Sequence, residues 1–452
     1  MRLILASSLL ALGCTAARAQ TNPAITGWLQ NHTGVTGRHY VSGNYTPIVD
    51  ADSANVQTVL YSTTNAYVRT KGVPAYITGP FLDGNPSITI SQNAIFKIPL
   101  TPTANTGTPT ATMMGPIGIF INGVALFDSR DGVSWNHSTS SLGGGPLGGA
   151  GDGVWNRDAI LAERGGFDCA KGHPAMGDYH HHQNPSAFKL DLNVVSTICN
   201  LYNADGLYVI DSEHHSPLLG FAFDGYPIYG AYGYKNTDGT GGIVRIKSGY
   251  SLRSITARTT YYDGTTVTAG PNVSTTYPMG YFREDYQFTT PTASQPDYLD
   301  IHNGRFCVTP EYPSGTYAYF CTVDANWNSA YPYCVGPTFN GTLAGGKVTS
   351  ITETVTPYVS ATAVNETSFA PSDISVYPNP AGDMLAIQFN NSMRQQIDVT
   401  LYDMAGRVVD QTSLYPGSTI VYFDTRTLYN GDYILRFTQG GKSTTRRVII
   451  AR

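Results

Sequence analysis

Dense turn residues, scarce charge and alternating apolar runs predict an all-β protein. The chain of 452 residues carries 48 Gly and 27 Pro, with 13% charged and 12% aromatic residues. Helices packed on one face need Glu, Lys, Arg and Ala on the other, whereas Tyr, Thr, Val, Ser and Gly suit short strands joined by tight turns. Alternation is explicit near the C-terminus, where Ile397, Val399 and Leu401 interleave with Asp398, Thr400 and Tyr402, the period that separates the two faces of a strand. The length predicts two or three folding units. A formal net charge of −5 argues against a nucleic-acid binder, which normally presents a basic face.

Residues 1–19 have the parts of an export signal: Met1 and Arg2, an apolar stretch over residues 3–12, and Ala17-Arg18-Ala19 before Gln20. The stretch is too short to span a bilayer, and no later run of 18 apolar residues follows, so no transmembrane helix is expected. Ala11-Leu12-Gly13-Cys14 is a poor match to a lipoprotein site. Removing the leader leaves Cys169, Cys199, Cys307, Cys321 and Cys334. An odd number in an oxidising compartment allows at most two bridges. The pairing stays open, with the last three expected to staple one Tyr-rich stretch. There is no CxxC spacing to suggest a cysteine zinc site.

Residues 20–350 form the expected passenger. Strand signals recur at 56–61, 66–69, 87–90, 95–98, 117–127, 208–211, 241–247 and 317–323. The Gly-rich run 142–153 lacks the Lys-Ser/Thr of a phosphate loop and is expected to be a flexible surface loop. Residues 351–371 read as an extended linker, rich in Thr, Val, Ser and Ala. Residues 372–452 then repeat strand and turn, predicting a sandwich of about seven strands.

The histidines are the chemistry-bearing residues. If residues 179–183 are extended, His180 and His182 share one face while Tyr179, His181 and Gln183 share the other. Two imidazoles at i and i+2 can reach one cation, Cu or Zn among the ions they suit, with His173, His215 or His302 completing the shell. Asp168, Asp178, Asp224 and Tyr179 are the groups expected to orient the ligand rings. The competing account makes the histidines a satisfied hydrogen-bond network in a non-catalytic glycan-binding or adhesion module. Asp224-Gly225 reads first as a turn after a buried strand over 218–223. Arg157 and Asp158 are further candidates for a polar pocket. No GxSxG elbow is present, so the sequence nominates no nucleophile.

Two resemblances follow from these residues. The run 374–380 (ISVYPNP), the Tyr402-Asp-Met-Ala-Gly-Arg407 turn, Gly431-Asp-Tyr-Ile-Leu435 and the basic tail with Lys442, Arg446 and Arg447 resemble the C-terminal sorting domain of the type IX secretion system of Bacteroidota. That resemblance implies transport through the periplasm and across the outer membrane by the type IX machinery, to the surface or the medium. Tyr179-His180-His181-His182, the stretch 219–230 around Asp224 and the stretch 310–319 resemble the YHYH family, with His181 where the family has Tyr. This resemblance implies a secreted β-rich domain and supplies no reaction.

Overall fold

The structure is a computed structural model that describes residues 20–83, 87–185, 207–208, 210–359, 374–389, 396–415, 418–439 and 442–452. The expected leader and Cys199 lie outside these residues. The chain divides into two compact units, Met1–Val359 and Ser360–Arg452, and strands dominate both. No helix among the described residues is long and apolar enough to cross a membrane.

The first unit is built on an eight-stranded mixed sheet. Its strands run in the order Gly172–Ala175, Asp178–His181, Ala125–Phe127, Pro116–Phe120, Leu218–Ala222, Pro227–Tyr229, Thr316–Phe320 and Gly304–Cys307. Two pairings are parallel, Asp178–His181 on Ala125–Phe127 and Pro227–Tyr229 on Thr316–Phe320. A five-stranded antiparallel sheet has the order Gly346–Val348, Ala94–Pro99, Asn65–Thr70, Val56–Tyr61 and Thr356–Tyr358. Alternate residues of the two sheets, among them Val59, Val68, Phe96, Ile119, Phe221 and Phe320, form one apolar core. A second core, with Phe120, Leu126, Leu219, Ile228 and Tyr319, contains the residues that alternate with these on the larger sheet. Burying strands on both faces explains why residues 218–223 read as a continuous apolar run.

Several expectations change in detail. The run 117–127 is two strands, turned at Asn122-Gly123, where Gly123 has φ +82° and a Cβ would meet Thr70 Oγ1 at 2.2 Å. Residues 87–90 form no strand, although Ile90 N–H donates to the Gly177 carbonyl. Part of the expected Gly-rich loop is ordered as the strand Ser141–Gly144 followed by a short 3₁₀ turn. Within the stretch 351–371 expected as a linker, Thr356–Tyr358 pairs with Val56–Tyr61 and completes the five-stranded sheet. Its composition is that of a linker, but the exposed edge of that sheet offers backbone partners no composition records.

The second unit has seven strands among its described residues. Ile374–Tyr377, Met384–Phe389 and Ile420–Asp424 form one sheet; Val408–Leu414, Ile397–Asp403, Gly431–Gln439 and Lys442–Ile450 form the other. Ile397, Val399 and Leu401 are buried with Phe389, Phe423, Leu435 and Phe437, as the alternation predicts. The 402–407 turn is held by the Asp403 carboxylate, which accepts the N–H groups of Ala405 and Arg407.

Candidate metal centre

A tight hairpin builds the site. Between Gly172–Ala175 and Asp178–His181 the chain turns in two residues, Met176 at φ 51° and Gly177 at φ 87°. Positive φ at both central positions is the geometry that matches the twist of paired strands. A Cβ on Gly177 would meet Ile90 Cγ1 at 2.3 Å. The short turn fixes the register, so His173 lies directly opposite His180. Strand alternation adds His182 to the same side, just past the strand's end.

Three buried imidazoles thus converge: one ligand atom from each of His173, His180 and His182 lies within 4.8 Å of the others. His180 Nε2 and His182 Nε2 are 3.1 Å apart. The other nitrogen of each ring faces a backbone carbonyl, His180 Nδ1 that of Asp178 at 2.8 Å and His182 Nδ1 that of Asp128 at 2.5 Å. A carbonyl only accepts, so both Nδ1 atoms carry hydrogen, and in the neutral rings both Nε2 atoms present lone pairs. Phe127 stacks on His180 with ring centroids 3.9 Å apart, and Phe167 meets His173 edge-on at 4.8 Å. These contacts hold the rings in place and keep water away from their flanks.

Glu163 completes the group, and sequence reasoning missed it. One of its carboxylate oxygens lies 3.3 Å from both His173 Nε2 and His182 Nε2. It ends the short helix Ala159–Glu163, whose first turn is capped by Asp158, Oδ1 accepting from the amides of Ile160 and Leu161. Tyr333 donates its hydroxyl to the other Asp158 oxygen at 2.8 Å. The sequence offered only a weak sign, a single acid between Asp158 and Asp168, and the cap was legible only as a polar residue ahead of an apolar run. Glu163 is 21% exposed while the histidines are buried, so the carboxylate stands on the solvent side of the cluster.

The electrostatics follow from burial and proximity. Burial alone would raise the Glu163 carboxyl, but the hydrogen-bonding and charge of His173 and His182 hold it well below the ordinary range. Burial and the neighbouring rings push His180 well below the usual imidazole value. For His182 burial works downward, yet Glu163 and the Asp128 carbonyl outweigh it and the pKa rises. Asp158, buried beside Tyr333, is pushed up to about 7.

The remaining expected site residues lie elsewhere. His215 packs against Tyr229 and Tyr234, its Nδ1 donating to the Ser216 carbonyl, and burial lowers it to about 4. His302 Nδ1 lies 2.6 Å from Thr338 Oγ1. Neither belongs to the three-histidine cluster, which corrects the expectation that they would complete it; sequence spacing carries no information on which distant loops meet. Asp178 orients His180 through its backbone carbonyl, while its carboxylate is 3.7 Å from Lys347 Nζ. Asp224 is structural: buried, it accepts from Tyr319 Oη, Gly341 N and Tyr226 N. Asp168 and Tyr179 are joined at 2.8 Å, in a network with Tyr76 and His181 on the opposite face of the strand.

The fold and cluster describe a β-protein with a buried imidazole–carboxylate site, and the comparisons place it further. A family described as YHYH protein matches residues 95–334, more than half of the chain, which belongs to that family. The secretion system C-terminal sorting domain matches residues 375–451, which directs the protein to the cell surface or the medium through the type IX machinery. No curated protein matches. Among solved structures, a DUF3244 family protein with an immunoglobulin-like β-sandwich fold from Bacteroides vulgatus is similar at 19% identity, over 18% of this chain and 84% of its own, with a TM-score of 0.16.

Proposed function

We propose that the passenger binds a divalent transition metal through His173, His180 and His182, with Glu163 as a fourth donor or as the base beside it. The observation that carries this reading is the pair of Nε2 atoms 3.1 Å apart on rings whose Nδ1 hydrogens are already donated to carbonyls. Two facing lone pairs repel unless something positive lies between them. Nitrogens about 2.0–2.1 Å from one tetrahedral ion stand ~3.3 Å apart, close to the observed separation. Three imidazoles and a carboxylate suit Zn, Cu and related ions and disfavour Ca or Mg, which prefer all-oxygen shells. The carbonyl partners on Nδ1 are the orienting contacts that metal-bound histidines use. Such an ion would supply Lewis acidity or an activated water, beside the ionised Glu163 carboxylate.

A second reading has its own observation. Glu163 raises the affinity of His182 for a proton, so a proton shared between His182, His180 and Glu163 would relieve the same repulsion without metal. One measurement separates the two. Protein stripped with chelator, incubated with Zn or Cu and desalted should retain one equivalent by elemental analysis, and a His180→Ala, His182→Ala variant should retain none. Wild-type protein that keeps no metal leaves the proton-sharing network.

A further inference from the structure

Three cysteines are free and buried among the described residues, Cys307, Cys321 and Cys334, and they do not occupy one place. Cys307 lies in the core shared by the two sheets, together with Phe320 and Val68. Cys321 and Cys334 lie in the other core, with Phe120 and Tyr319. Backbone pairing sets these two against each other: Thr322 N–H donates to the Tyr333 carbonyl at 2.7 Å, and Ala330 N–H donates to Thr322. Cys321, just before Thr322, and Cys334, just after Tyr333, are therefore neighbours across these two paired segments and share one buried cluster.

We propose that Cys321 and Cys334 are joined by a disulfide in the exported protein, formed by exchange with an oxidised dithiol donor during folding. One cysteine thiolate attacks the donor's disulfide and releases one donor sulfur. The second cysteine thiolate then attacks the mixed bond, and the donor leaves reduced, its two sulfurs taking up the two cysteine protons. Two electrons pass from the protein to the donor. An oxidising compartment supplies such donors, and the sorting domain sends the chain through one. Exchange precedes closure of the core, because the folded pair is buried and burial holds the Cys334 thiol far above its usual value, in the unreactive form.

The assignment explains the odd cysteine count. Cys169 is already disulfide-bonded, Cys321 and Cys334 make the second bridge, and Cys307 is the thiol left over, separated from both in its own core. The bridge closes the segment 322–333 behind Tyr333, whose hydroxyl holds the Asp158 cap of the helix bearing Glu163. It does not rest on the metal reading.

The test uses full-length protein secreted through the periplasm, denatured without reductant, alkylated with N-ethylmaleimide and mapped after chymotrypsin. Cys307 should carry the label while Cys321 and Cys334 stay unlabelled until dithiothreitol is added, when both become labelled. Label on Cys321 and Cys334 before reduction, or a linked peptide that contains Cys307, overturns the proposal. Protein made in a reducing cytosol should label all three without reductant, which confirms that the assay can see them.

Discussion

The two faces of the strand Asp178–His181 and its extension to His182 carry nearly the same residue types and do opposite things with them. On one face Tyr179 donates to Asp168 and His181 Nε2 meets Tyr76 Oη at 2.8 Å. Asp168 also accepts the amides of Gly79, Ala170 and Gly172, so the carboxylate on this face is met by four donors. On the other face the rings of His180 and His182 spend their donors on carbonyls and turn their acceptors towards each other. A carboxylate met by donors stabilises the fold; converging acceptors call for a cation. Residue type does not distinguish the faces, whereas the balance of donors and acceptors does.

The sharpest way to break this contrast is to delete His180 and His182 together. Metal affinity should fall by at least ~1000-fold, about 4 kcal/mol, read by competition with a chromogenic chelator, while the circular-dichroism spectrum stays that of the wild type. Glu163→Gln keeps the shape of the carboxylate but not its charge, and should weaken metal binding by about 10–100-fold, measured in the same competition. An unchanged affinity would remove Glu163 from the site.

The network face should answer to pH instead. Burial pushes the Asp168 carboxyl up to about 7 in spite of its four donors. A folded pKa above the unfolded one gives stability that is complete below about pH 4 and is lost as pH rises through about 7. Tyr179→Phe removes a donor to the carboxylate and raises that pKa further, so its cost should grow with pH. Urea unfolding is expected to show a loss of about 1–3 kcal/mol at pH 7.5 and a smaller one at pH 5, with metal stoichiometry unchanged. An equal loss at both pH values would mean the Tyr179 hydroxyl does not act through the charge of Asp168. The smallest expected effect is that of His215→Ala with His302→Ala, which should leave metal affinity within about twofold, since neither ring reaches the cluster; a larger drop by isothermal titration would place one of them in the shell.

How much of this was legible in the sequence differs by region. In the second unit, alternation of Ile397, Val399 and Leu401 led directly to the buried face, because period 2 is a local property of one strand. His180 and His182 were legible as a pair for the same reason, and His173 as a nearby candidate. Glu163 was not, since its position depends on a five-residue helix that Asp158 caps and Tyr333, far along the chain, supports. The strand Thr356–Tyr358 was hidden in linker-like composition, because what makes it a strand is the open edge of Val56–Tyr61.

The amino-acid sequence alone determined the all-β class, the export tail and the two imidazoles that share a face, since each follows from composition or from spacing along one segment. Only the tertiary structure decided which distant groups join them, bringing Glu163 and the Asp128 carbonyl to the rings and leaving His215, His302 and Asp224 elsewhere. The physical reason is that ligand sets and hydrogen-bond partners are made across strands and loops, where register and turn geometry, rather than residue identity, set the distances.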